Sequence, residues 1–134
     1  MSRRTLFFLI LLVVVFLAGF VPMWIKARDQ TALRAKAEHA LTLTKMVKDL
    51  GAAAIDARRG EYESARQEAS TFFTSARFEI DQGDKSVLTR QQRDALAALL
   101  APRDELITLL ARSDPASADR LANLYVAVRK VLGV

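Results

Sequence analysis

The most pronounced pattern in the chain is an uncharged apolar run from Thr5 to Ile25, which is 21 residues long. As a helix rising about 1.5 Å per residue, this run would span roughly 30 Å, the thickness of the hydrocarbon core of a bilayer. The pattern predicts a short basic tail over residues 1–4 and one N-terminal transmembrane helix over residues 5–25. Charged and aromatic residues flank the run, and we assign them to the membrane interfaces: Arg3, Arg4, Trp24, Lys26 and Arg28.

A cleavable signal peptide also begins with basic residues and an apolar run, so the segment has a second interpretation. A cleaved signal has a shorter apolar core and small residues before the cut, whereas the two candidate cuts here place Leu17 and Ile25 at a key position. We therefore expect an uncleaved signal-anchor in a single-pass protein of a bacterial-type inner membrane. The basic residues after the run favour a cytoplasmic C-terminal domain, but long domains cross regardless of charge, and we favour the non-cytoplasmic side.

Helical spacing of apolar residues continues after the run. One long helix is predicted from Lys26 to Arg59, with residues 26–42 as a juxtamembrane helical stalk. Its apolar stripe recurs every three or four residues at Leu43, Met46, Val47, Leu50, Ala53, Ala54 and Ala57. Gly51 costs about 1 kcal/mol inside a helix, and close approach of a partner helix would account for it. Gly60 is suited to end the helix.

Three more amphipathic segments follow. The first carries the stripe Tyr62, Ala65, Ala69, Phe72, Ala76 and Ile80, with Phe73 beside it. The second begins at Thr89, which forms a capping box pattern with Gln92, and its stripe is Leu96, Leu99, Leu100, Ile107 and Leu110. The third is capped by Ser113 or Asp114, has Pro115 in its first turn, and carries the stripe Ala118, Leu121, Leu124, Tyr125, Val128 and Leu132.

Pro102 leaves two possibilities for the middle segment, because a proline either kinks a helix or opens a new one. We expect a kink near Leu100, since leucines continue on both sides. No alternating β-branched pattern occurs, so the predicted fold class is all-α. Residues 43–134 are expected to form a small antiparallel bundle of three to four helices, with the long first helix or stalk leading into it.

The net charge of +5 is unevenly distributed. Residues 26–48 contain six basic and two acidic residues, for a net charge of +4, whereas residues 49–134 contain twelve basic and thirteen acidic residues, for a net charge of −1. The positive charge therefore lies next to the predicted membrane span, where it would attract anionic lipid headgroups. No basic face with interleaved aromatic residues is present, so we expect no nucleic-acid partner.

The chain offers little catalytic chemistry. It contains no cysteine and a single histidine, His39, which has no second ligand at helical spacing. The acidic pairs Glu61/Glu63 and Asp104/Glu105 each sit at a predicted helix start, where the helix dipole already accounts for negative charge. We therefore assign no catalytic, cofactor-binding or metal-binding residues and expect a protein that is not an enzyme.

Two resemblances concern architecture only. Gly60, Tyr62 and Ala65 match the mid-repeat turn of tetratricopeptide repeats, and the segment from Ala57 to Ala65 resembles that turn. The resemblance implies a helical hairpin with a tight turn. The order of basic tail, span and bundle is similar to the helical-bundle sensory modules of bacterial membrane receptors.

Two functions follow from these features. The first is a non-catalytic interaction or scaffold module tethered to the lipid bilayer, which contacts another membrane or envelope protein or self-associates through its stalk as a coiled coil. We name Phe73, Phe78 and Tyr125 as possible partner contacts, since these aromatic residues lie near or off the main stripes; the alternative is ordinary core packing, because aromatic residues at helical spacing usually pack inside. The alternative is a small-molecule-sensing bundle in which Arg66, Arg77 or Arg103 points inward to an anionic ligand.

Overall fold

The computed structural model describes residues 3–134, apart from the side chains of Phe20, Val21, Pro22, Trp24 and Ile25. The described residues form helices and turns and contain no strand, which confirms the all-α prediction. They belong to two compact units, one that ends at Glu38 and one that comprises His39–Val134.

Helix α1 comprises Arg3–Arg59. In the first unit, its apolar side chains from Leu6 to Leu17 are each between 47% and 70% exposed. Among the described residues, no helix contains an apolar stretch of sufficient length to cross a membrane. The predicted transmembrane helix, residues 5–25, includes the five side chains named above, so this prediction falls in part outside the described residues.

In the second unit, α1 buries the predicted stripe, including Met46, Leu50 and Ala53. The helix ends as predicted at Gly60, whose φ of +80° places it in the left-handed region. Its N–H donates to the carbonyl of Ala57 at 3.2 Å, and the N–H of Glu61 donates to Asp56 at 2.9 Å. These two bonds satisfy carbonyls of the last turn and reverse the chain, so the expected tight turn is present.

Helix α2 comprises Tyr62–Asp81 and buries Ala65, Ala69, Phe72, Phe73 and Ala76. A short 3-10 turn, Gly83–Lys85, follows it. The buried carboxylate of Glu79 accepts the hydroxyl of Ser86 at 2.7 Å and the N–H of Val87 at 3.1 Å. A buried charge requires such partners, and these bonds hold the connection to the next helix against α2.

Pro102 separates two helices, so the expected kink in one continuous helix is wrong. Helix α3 comprises Arg90–Leu99 and helix α4 comprises Arg103–Ala111. Because proline has no N–H, the carbonyl of Ala98 lacks its usual donor and accepts the N–H of Ala101 at 3.4 Å instead. The apolar register restarts in α4: Leu106 is buried, whereas Ile107 is only half-buried.

Side chains bond to the backbone at two of the predicted helix starts. Thr89 and Gln92 form the capping box, with N···O distances of 3.0 and 3.2 Å. Helix α5 comprises Ala116–Leu132, and the carboxylate of Asp114 accepts the N–H of Ala116 at 2.9 Å. Pro115 holds the N-cap position itself, and of the two predicted residues it is Asp114 whose side chain bonds to the start of the helix.

The helices of the second unit share one apolar core. Helix α2 packs against α3 and α4, and both of these pack against α5. The side-chain amide of Gln92 lies 3.4 Å from the carbonyl of Val131, which places the start of α3 beside the end of α5 and makes this pair antiparallel. Together with the end of α1, the bundle has five helical segments instead of the expected three to four, because Pro102 divides one of them.

Ser113 carries strain that a substitution can remove. Among the described residues other than glycine, it alone has a positive φ, of 55°. Its N–H donates to Leu110 at 3.0 Å, and the N–H of Asp114 donates to Leu109 at 2.9 Å, so Ser113 occupies the position after α4 that favours glycine.

We predict that Ser113→Gly raises the free energy of unfolding by about 0.5–1 kcal/mol. A left-handed conformation costs an L-residue about 1–2 kcal/mol, and the added chain entropy of glycine offsets part of the gain. Urea denaturation of the full-length protein in detergent measures the change. Ser113→Ala is the control and should give no gain, because it retains the strain; a less stable Ser113→Gly variant would contradict the assignment.

Candidate interaction surface

The three aromatic residues predicted as partner contacts lie in different places. Phe73 is 1% exposed, and its ring centroid lies 5.3 Å from that of Phe72 in the core. Phe73 is therefore too buried to contact a partner protein. The prediction that it is a partner contact is wrong, and its side chain packs in the core. Phe78 is 59% exposed on α2. Tyr125 is half-buried on α5, where it packs against α1.

Tyr125 lies directly over Gly51. A Cβ atom on Gly51 would lie 3.1 Å from Cε2 of the Tyr125 ring, which is closer than an ordinary van der Waals contact. The guanidinium carbon of Arg129 lies 5.8 Å from the ring centroid on the same helix, within the range of a cation–π interaction. Glycine at position 51 thus permits the close approach of a partner helix that the sequence predicted.

Two exposed apolar residues adjoin this contact and were missed from the sequence. Ile55 is 53% exposed and Val126 is 65% exposed. Ile55, Ala122 and Tyr125 line a groove of about 240 Å³ between α1 and α5. Val126 lies one helical turn after Ala122. We call Ile55, Ala122, Tyr125 and Val126 the α1–α5 surface.

The sequence indicates this surface through the positions of Ile55 and Val126 relative to the buried stripes of α1 and α5. The buried stripe of α1 passes through Leu50, Ala53 and Ala57, and a residue at position 55 falls off that stripe. Val126 likewise falls off the stripe of α5. A large apolar residue that the helical period places on the solvent side is a candidate contact, because patches of this kind mark interaction sites.

The residues assigned to the membrane interfaces lie in the first unit. Arg3, Arg4, Lys26 and Arg28 are exposed. Trp24 belongs to the same prediction, but its side chain lies outside the described part of the chain.

His39 is exposed on α1. In the part of the chain that the structure describes, no three His, Asp or Glu side chains are grouped so that they could hold a metal ion.

Three ion pairs of the bundle join residues three or four positions apart on one helix. Arg66 binds Glu63 through two hydrogen bonds, of 2.9 and 2.6 Å, and these bonds together with one from Gln67 lower the pKa of Glu63 to about 2. The hydrogen bond to Asp49 raises the pKa of Lys45. Pairs three or four residues apart on one helix stabilise that helix and are common on protein surfaces.

The arginines considered for an inward ligand site do not point into the core. Arg66 pairs with Glu63, and Arg77 lies 3.3 Å from Asp81 with 68% of its side chain exposed. Arg103 is exposed beside a surface groove.

Another groove, of about 480 Å³, lies between the α3–α4 turn and α5. Its lining includes Leu99, Leu106 and Arg120, and Arg120 binds Glu105 at 2.8 Å.

Comparison of the chain with protein-family models, with curated proteins and with solved structures gave no match.

The contact between Gly51 and Tyr125 predicts a coupling between two substitutions. Gly51→Ala alone should change stability little, because the gain of about 1 kcal/mol in helix propensity opposes the crowding of the tyrosine ring. In a Tyr125→Ala background the crowding is absent, so Gly51→Ala should then stabilise by about 1 kcal/mol. A double-mutant cycle measured by urea denaturation gives the coupling; additive effects would mean that the two residues do not touch.

Proposed function

We propose that this protein is a single-pass membrane-anchored helical protein that acts as a non-catalytic interaction or scaffold module. Residues 5–25 form its transmembrane anchor, and residues 39–134 form the module that contacts a partner. The observation that supports the anchor is the exposure of twelve consecutive apolar side chains, from Leu6 to Leu17, each at least 47% exposed.

Those twelve side chains cover every side of the helix, since successive residues turn by about 100°. Withdrawing each from water is worth about 1.5–3 kcal/mol, so a helix that is apolar all round is stable only where something encloses it. A hydrocarbon bilayer encloses a helix on all sides. The uncharged sequence continues to Ile25, which gives a length that matches the hydrocarbon core.

The interaction role is supported by the distribution of exposed apolar residues in the second unit. In the α1–α5 surface, Ile55 and Tyr125 line a shallow groove and the exposed Val126 follows Tyr125 on α5. Aromatic and aliphatic side chains of this kind form the centres of protein interfaces. We propose that its partner is another membrane or envelope protein or a second copy of this chain, on the non-cytoplasmic side of a bacterial-type inner membrane.

The anchor is tested by charges within the apolar run. Each arginine in the middle of a membrane-spanning helix costs about 2.5–3.5 kcal/mol, so Leu9→Arg with Leu12→Arg and Phe16→Arg costs about 8–10 kcal/mol, more than the roughly 4–7 kcal/mol by which twelve apolar residues favour insertion on the same scale. We predict that the unaltered protein and the control Leu9→Ala with Leu12→Ala and Phe16→Ala stay in the membrane pellet after alkaline extraction, and that the variant with three arginines is largely released. Release of the unaltered protein, or a mature N-terminus downstream of residue 25 by mass spectrometry, would refute the anchor.

The partner-binding role is tested by crosslinking in the intact membrane. A photoreactive amino acid at Val126 should crosslink to a neighbouring protein, because this position lies on the proposed surface. The same amino acid at Arg112, an exposed polar position of the bundle, is the control and should give little product. Equal crosslinking from both positions, or none from Val126, would argue against the interaction role.

The alternative function, a small-molecule sensor, has less support. Among its candidate arginines, Arg77 and Arg103 are exposed and Arg66 is half-buried, and two of the three pair with neighbouring carboxylates. The groove of about 480 Å³ beside Leu106 has the size of a ligand site, but Arg120 at its edge is already bonded to Glu105.

A further inference from the structure

We propose that four basic residues after the apolar run, Lys26, Arg28, Arg34 and Lys36, attract anionic phospholipids in the membrane that holds the anchor, Lys26 and Arg28 by direct contact with headgroups and Arg34 and Lys36 by longer-range attraction. This inference rests on the proposed anchor and adds a lipid class to it. We call these four residues the basic collar. All four are exposed, and they lie in the part of α1 that belongs to the first unit.

The angular positions of the four residues argue for lipid over protein. With about 100° per residue and Lys26 taken as zero, Arg34, Arg28 and Lys36 point to about 80°, 200° and 280° around the helix axis. The cations therefore lie on four sides at intervals of about 80–120°. A protein partner contacts one face of a helix, whereas the headgroups of a bilayer surround a helix that leaves it.

The heights of the four residues predict unequal contributions. Measured from Ile25, the last residue of the apolar run, Lys26 and Arg28 lie about 1.5 and 4.5 Å along the helix, and Arg34 and Lys36 lie about 13.5 and 16.5 Å along it. The headgroup layer is about 5–8 Å thick, so Lys26 and Arg28 lie within it. Arg34 and Lys36 lie beyond it by roughly a Debye length, and their attraction is screened by salt.

Charge supports the same assignment. Asp29 is the single acidic residue between positions 26 and 36, so this segment has a net charge of +3, whereas residues 49–134 have a net charge of −1. Each basic residue near a negatively charged membrane surface strengthens binding by about fivefold. A positive segment adjoining an apolar helix therefore concentrates anionic lipid around that helix.

The experiment uses Trp24, the single tryptophan of the chain, as the probe. Full-length protein is reconstituted into phosphatidylcholine vesicles that contain brominated phosphatidylglycerol or brominated phosphatidylcholine at equal fractions, and quenching of tryptophan fluorescence gives the relative local concentration of each lipid. We expect a preference for the anionic lipid. Lys26→Gln with Arg28→Gln should reduce that preference by about fivefold or more, and Arg34→Gln with Lys36→Gln should reduce it by less and only at low salt.

Two controls separate the possible failures. Arg90→Gln with Arg112→Gln removes the same charge from the second unit and should leave the preference unchanged. Quenching by brominated phosphatidylcholine alone should be equal in all variants, which shows that the helix remains inserted. Strong but equal quenching by both lipids would overturn the collar and leave the anchor intact, whereas quenching by neither lipid would overturn both.

Discussion

Close approach between helices is the constraint on which the bundle depends. On α1 and α2 most of the buried apolar positions are alanines, among them Ala53, Ala65, Ala69 and Ala76, whereas α3, α4 and α5 bury mainly leucines. Small side chains bury little apolar area each, so the helices must lie near one another for the core to exclude water. The contact of Gly51 with Tyr125 is the limiting case, because even a methyl group there would crowd the ring.

The turns hold that packing by ending each helix at a defined residue. Gly60 and Ser113 adopt left-handed conformations that satisfy carbonyls of the preceding turn, and Pro102 divides the middle helix by lacking an N–H. Glu79 acts in the same way through its side chain, since its buried carboxylate binds the loop before α3. Short helices that reverse sharply can bring several small stripes to one core, which a single kinked helix could not.

The two parts of the chain present apolar residues in different ways, and the proposed function follows from that contrast. Apolar residues in the second unit are mostly buried, and of the exposed ones Ile55 lines a groove between α1 and α5, with Val126 one helical turn beyond the groove residue Ala122. Between Leu6 and Leu17 every side of the helix is apolar and exposed. The first arrangement is the basis of the proposed contact surface, and the second is the basis of the proposed anchor.

The sequence by itself determined the helices, their buried stripes and most of their ends, because these depend on the 3.6-residue period and on local capping by residues such as Thr89 and Gly60. It also determined the uneven charge and the apolar run. Only the tertiary structure decided that Phe73 lies in the core, that Leu106 is buried in place of Ile107, and that Ile55 and Tyr125 share a surface. These outcomes depend on which helix packs against which. Contacts between residues distant in the chain decide that pairing, and the local period of apolar residues contains no information about it.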